Sequence, residues 1–207
     1  FGRRVNSLVP SGDGWKLSVP GQEIRADRIC LAAPAPEAAR LVDSFAPEAS
    51  SALREIPHAP LAVLHLASAA PRRLEGFGHL VVPQKDRRIL GAIWSSALFP
   101  GRAPEGRALF TVYLGGARDP GALDLSDDAL VGVASHDLAA VGLPRSPDLV
   151  SVTRYPAAIP QYEFGHGGRI EKLAETERRN SGLTFLGSYR GGVAVGDVVR
   201  SAVTLPG

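Results

Sequence analysis

The chain has 207 residues, enough to bury a sizeable core as one large domain or two small ones. Its 44% hydrophobic and 21% charged residues are those of an ordinary soluble globular protein. The net charge of +2, with both signs mixed along the chain, excludes a dedicated nucleic-acid surface. Short, interrupted apolar runs exclude a transmembrane helix and leave peripheral membrane contact open.

The chain opens at Phe1 without an initiator methionine or signal peptide, and reads as the C-terminal part of a longer protein. Val5 to Val9 predicts a strand that leads into the turn Pro10-Ser11-Gly12-Asp13-Gly14. Trp15-Lys16-Leu17-Ser18-Val19 alternates apolar and polar residues as a half-buried strand does. A third strand is expected from Arg28 to Ala32, with Cys30 as a buried small apolar residue. Helices follow from Glu37 to Ser44 and from Glu48 to Glu55.

The next block is rich in strands: Leu61 to Leu66, Gly78 to Val82, Ile89 to Ser95 and Ala108 to Leu114. Between the last two, Leu98 to Pro104 reads as a loop by its proline and glycine content. Ser126 is a plausible N-cap for a helix to about Val141, with Asp127 and Asp128 in its first turn and Gly142 beyond its end. Leu149 to Tyr155 predicts a strand, and Pro156 and Pro160 are expected to end its regular pairing. Residues 169 to 180 carry charges on a helical period.

The closing segment, Phe185 to Val199, reads as a strand, a glycine turn and the opening of a helix. Free N–H groups and the positive end of the dipole at such a helix start favour an anion or an electron-rich ring edge. The order of elements predicts two outer blocks, 1–57 and 151–207, that form one discontinuous domain. The middle block, 58–150, forms the other.

Chemistry-bearing groups are sparse. The five histidines (His58, His65, His79, His136 and His166) make no HxxxH or HxH pair, so no metal site is expected. The single cysteine allows no disulfide within the chain and has no local activating residue. No GxSxG elbow, Walker loop or GxGxxG is present, and no catalytic residue can be named. Two segments stand out. Ile159-Pro160-Gln161-Tyr162 with Gly165-His166 either packs aromatics on a planar ligand or anchors a loop, the simpler reading. Leu74-Glu75-Gly76-Phe77-Gly78-His79-Leu80-Val81-Val82-Pro83 sets two glycines around a phenylalanine, for a backbone beside a ligand or for a bulge.

Together these segments resemble the C-terminal half of the flavin-dependent protoporphyrinogen oxidase family, within the flavin amine oxidase group. The resemblance runs in order through Gly76 to Pro83, Ile89 to Ser96, Phe99 to Pro104, Thr111 to Gly116, Ile159 to His166 and the glycine-rich close. It departs at Gly196-Asp197-Val198, where the family motif usually continues Asn-Asp-Cys. Tyr189 and Arg190 also stand one place early, which leaves both unassigned as contacts.

The resemblance implies an α/β (α+β) fold: part of an FAD-binding domain and a mixed or antiparallel-sheet substrate domain with a helix. It implies FAD as cofactor and the oxidation of protoporphyrinogen IX, or coproporphyrinogen III, to the porphyrin, with molecular oxygen reduced to hydrogen peroxide. Carried over by position, Val193, Ala194 and Val195 would face the flavin N1/O2 edge. Val5 would hold the adenine through its backbone, and Tyr155 would touch the cofactor. Phe77, Gly78, Leu80, Ile93 and Tyr113 would line the porphyrinogen pocket. The expected partners are the porphyrinogen, oxygen and the missing N-terminal half, with homodimerisation left open. The expected location is cytoplasmic or peripheral on the cytoplasmic membrane. Two alternatives stay open: another amine-oxidase-type flavoenzyme, and a non-catalytic tetrapyrrole-binding module.

Overall fold

The computed structural model describes residues 2–70, 75–82, 84, 86–143 and 146–205, so Leu74 and Pro83 of the glycine-phenylalanine segment lie outside the described residues. In chain order the elements begin with β1 (Ser7–Ser11), β2 (Gly14–Val19), β3 (Gln22–Ala26), β4 (Ile29–Leu31), α1 (Ala35–Val42) and α2 (Pro47–Arg54). Then come β5 (His58–Ala69), β6 (Gly78–Leu80), β7 (Ile89–Ile93), α3 (Ser95–Leu98), β8 (Arg107–Gly115) and α4 (Asp127–Ala139). β9 (Leu149–Pro160), α5 (His166–Arg179), β10 (Leu183–Phe185) and α6 (Val195–Val203) close the chain. The chain divides into two compact units, 1–57 with 160–207, and 58–159.

In the first unit, β1, β2 and β3 form an antiparallel meander in which Ser11 pairs with Gly14 and Val19 with Gln22. Trp15 and Val19, on alternate positions of β2, are buried. Trp15 packs against Phe45 with ring centroids 5.2 Å apart, and its indole N–H donates to the Ser181 carbonyl at 3.1 Å. α1 and α2 bring small residues together, Ala35, Ala38 and Ala39 on one and Ala49 and Ala52 on the other. Their absence of bulk lets the buried Ser50 hydroxyl reach the Ala39 carbonyl at 2.9 Å.

β4 and β10 pair in parallel, Ile29 with Leu183 and Leu31 with Phe185. Cys30 is exposed, contrary to the sequence expectation. It alternates with the buried Ile29 and Leu31 and so points away from the core.

The second unit is a five-stranded sheet in the order β6-β7-β8-β5-β9. One face is covered by α4, whose Leu130, Ala134 and Leu138 share a core with Leu64, Leu66, Phe110, Val112 and Leu114. The Ser126 hydroxyl accepts from the Ala129 N–H at 3.2 Å, as an N-cap should. Asp137 on α4 is 3% exposed and accepts from the backbone N–H groups of Arg88 at 2.8 Å and Ile89 at 3.0 Å. That carboxylate ties the helix to the start of β7.

β9 continues through Pro156 to Pro160 instead of stopping at Tyr155. It is an edge strand, and an edge leaves alternate N–H groups without a ladder partner, so proline is tolerated there. No helix among the described residues is long and apolar enough to cross a membrane.

Candidate functional site

The first unit carries the glycine turn between β10 and α6. Tyr189 is 1% exposed and packs into the core with Phe185 and Leu173. Burial pushes its phenol well above the ordinary range, so it stays neutral. Arg190 makes a two-pronged ion pair with Glu177, one prong at 2.6 Å. It also donates to the Phe185 carbonyl at 2.7 Å, and Glu177 accepts from the Phe185 N–H at 2.7 Å. The two residues left unassigned by sequence are thus packing and clamping groups.

The Pro-Gln-Tyr corner fixes the rest of the turn. The Tyr162 ring stacks on His166 at 4.2 Å, and His166 Nε2 lies 2.9 Å from the Tyr189 carbonyl. Gly192 has φ +131°, and a Cβ there would fall 2.4 Å from the Asp197 carboxylate. Only glycine fits.

α6 then begins at Val195 with Ala194 as an N-cap that has no side-chain hydrogen bond. Val193, Ala194 and Val195 are exposed, Val195 at 81%. The helix starts after the glycines, at Val195, because Gly191 and Gly192 shape the turn. Val5 lies in this same unit, partly buried against the core. Its carbonyl accepts from Arg40 Nη2 at 2.6 Å. Tyr155 is placed on β9 in the second unit, about half exposed.

In the second unit, the sheet face opposite α4 forms an apolar cavity of about 590 Å³. Phe77, Gly78, Leu80, Ile93 and Tyr113 all line it. Six further residues, Leu61, His79, Leu90, Gly91, Ala92 and Ile159, also line it, and the sequence names none of them as a wall. Leu90 sits at a register shift between Ile89 and Gly91, a bulge that turns one extra side chain out of the strand pairing. Nothing in the local pattern marks that bulge.

The glycines here serve strand pairing. A Cβ on Gly78, at φ +150°, would lie 2.3 Å from the Ala92 carbonyl oxygen, and one on Gly91 would lie 2.5 Å from that of His79. His79 alternates with Gly78 and Leu80, and its ring packs near Trp94 at 6.2 Å. Neither ring nitrogen has a hydrogen-bond partner, and burial holds its pKa below the ordinary value. No Asp or Glu lines the cavity among the described residues.

The comparisons with known proteins agree with one another. The sequence profile of the flavin containing amine oxidoreductases matches residues 1–204. The chain is 33% identical over 193 residues to protoporphyrinogen oxidase 1, chloroplastic, of Spinacia oleracea, covering 86% of this chain and 34% of that protein. It is 33% identical over 211 residues to the protoporphyrinogen oxidase of Bos taurus, covering 97% and 44%. It is 29% identical over 204 residues to the coproporphyrinogen III oxidase of Bacillus subtilis (strain 168), covering 96% and 43%. The chain therefore spans less than half the length of these relatives.

Among solved structures, a putrescine oxidase variant superposes with a TM-score of 0.71 at 14% identity, over 97% of this chain and 47% of that one. Reduced UDP-galactopyranose mutase superposes with a TM-score of 0.66 at 12% identity, over 84% and 38%. These likenesses show the fold, an α/β (α+β) arrangement that spans less than half of each of those chains. FAD is the cofactor of the family. The chain belongs to the flavin containing amine oxidoreductases, an enzyme family, and aligns with part of the length of its protoporphyrinogen and coproporphyrinogen oxidases.

Proposed function

We propose that the chain is the C-terminal part of an FAD-dependent porphyrinogen oxidase. The whole enzyme would remove six electrons from protoporphyrinogen IX or coproporphyrinogen III, reducing three molecules of oxygen to hydrogen peroxide. The first unit would be its share of the FAD-binding domain, and the second its share of the substrate domain. The observation that carries this reading is the apolar cavity on the open sheet face, walled by Phe77, Leu80, Ile93 and Tyr113. A large flat tetrapyrrole suits such walls. An ammonium substrate would call for a carboxylate in the lining, and the described lining has none.

The residues at the head of α6 fit a flavin. Val193 to Val195 are exposed, and no side chain caps the first turn. Its backbone N–H groups and the helix dipole suit a ring edge that gains negative charge. The Tyr162 and His166 contacts hold that turn before any ligand arrives. Val5, with its carbonyl engaged by Arg40, would offer its N–H to the adenine, and Tyr155 would contribute an aromatic contact. When bound, FAD supplies the hydride acceptor, and the hard chemistry is its own. The chain's residues orient the tetrapyrrole and exclude water through the apolar cavity walls.

The test is turnover by an enzyme that contains this chain together with a flavin-binding N-terminal half. Anaerobically prepared protoporphyrinogen IX and coproporphyrinogen III would be added and porphyrin fluorescence followed with oxygen uptake. Porphyrin formation with peroxide is the expected result. Oxidation of amines with no porphyrin formed would overturn the reading.

A further inference from the structure

A second cavity of about 380 Å³ adjoins the apolar one. Leu90, the bulged residue of β7, is a wall of both. Leu61 of the first cavity pairs directly across the sheet with Gly115 of the second. The chemistry changes abruptly across that wall. Beyond Leu90 the lining is Gln84, Arg87, Arg88, Arg118 and Asp119.

The charges there do not cancel. Arg87 is occupied by the buried Asp137 at 3.5 Å, and Arg88 by Asp119 at 2.7 Å. Arg118 has no ion pair or hydrogen bond among the described residues and is exposed. Among the described residues, three guanidinium groups therefore face two carboxylates, one of which is already shared with the backbone of Arg88 and Ile89. An arginine fork matches a carboxylate in a planar, two-bond geometry. A low-dielectric apolar wall beside it strengthens the attraction over that at an open surface.

We propose that Arg118, supported by Arg88, is a carboxylate subsite continuous with the apolar cavity. It would take a peripheral carboxylate of the flat ligand whose body lies over Leu90. This rests on the reading of the apolar cavity as a tetrapyrrole site. It adds a specificity determinant: a ligand with acidic side arms around its whole rim always has one to present to Arg118. A ligand with apolar arms on one side does so in only some orientations. The coproporphyrin skeleton, with four propionates, is the favoured class over the protoporphyrin skeleton, with two.

The test is a fluorescence binding titration of the 207-residue chain with coproporphyrin III and, separately, its tetramethyl ester. Arg118→Gln is compared with Arg178→Gln, which removes an equal charge from an exposed position on α5 in the other unit. The expected result is about a tenfold weaker affinity of Arg118→Gln for the free acid. Its affinity for the ester is unchanged, and Arg178→Gln matches the parent chain for both. The parent chain's preference for the acid over the ester also falls as salt is raised. Equal effects of Arg118→Gln on acid and ester, or none on the acid, overturn the subsite and leave the tetrapyrrole reading standing. Failure of both acid and ester to bind the parent chain overturns the two together.

Discussion

The Tyr162 hydroxyl accepts from the Gly192 N–H at 3.0 Å and donates to the Ser188 carbonyl at 2.5 Å. A phenol 30 residues upstream thereby fixes both sides of the turn that precedes α6. Tyr162→Phe keeps the ring stacked on His166 and removes only the bridge. Because the side chain is about half exposed, the expected loss of stability is modest, about 1 kcal/mol. The local effect is larger, because amide exchange at Gly192 should accelerate far more than exchange in the core strands. Unchanged exchange at Gly192 would mean the bridge does not hold the turn.

His79 makes the second unit sensitive to acid. Burial holds its pKa below the ordinary 6.5, so in the folded state it resists protonation. As pH falls, the unfolded chain takes up the proton first. The stability tied to neutral His79 is therefore fully present above 6.5 and is lost progressively as pH drops below it. Urea unfolding between about pH 7.5 and about pH 5.5 should show the decline. His79→Phe should flatten it, and a variant with the same slope as the parent chain would assign the effect to other groups.

Two glycine substitutions should have opposite signs. Gly91→Ala would drive a Cβ to 2.5 Å from the His79 carbonyl oxygen, where β6 and β7 pair. It should cost about 2 kcal/mol or more, because backbone must move. Gly132 lies inside α4 with open space around its would-be Cβ and no positive φ. Gly132→Ala should stabilise by about 0.5–1 kcal/mol through helix propensity and a less flexible unfolded chain. Thermal unfolding of the two variants beside the parent chain checks both signs.

The 207 residues contain no GxGxxG loop to cradle a pyrophosphate. Purified alone, the chain is expected to lose FAD on gel filtration. Co-elution of flavin with protein at one-to-one stoichiometry would show that Val5 and the α6 turn suffice, and would sink this expectation.

Legibility from sequence followed the strength of the local signal. β2 was readable because Trp15, Leu17 and Val19 alternate with polar residues, and α4 because Ser126 caps it. β3 was missed: Gln-Glu-Ile-Arg-Ala shows no apolar alternation, and the strand exists because it pairs with β2. Cys30 was misplaced because an apolar run of three residues does not reveal which of its faces meets the core. Of the cavity walls, Phe77, Gly78, Leu80, Ile93 and Tyr113 came from family resemblance. Leu61 and Leu90 depend on strand register and on a bulge, both set by pairing between distant segments. Arg87, Arg88 and Arg118 stand in no motif that the sequence singles out.

The Arg190–Glu177 pair gives the small parallel sheet a direction of growth. In the pairing of β10 with β4, the Phe185 N–H and carbonyl face outward, and Glu177 and Arg190 occupy both. The opposite margin, along β4, presents the Cys30 N–H, for which no such cover stands among the described residues. A further strand would find pairing groups on the β4 side. On the β10 side, two charged side chains act as a gatekeeper against stray strand pairing and the aggregation that follows from it.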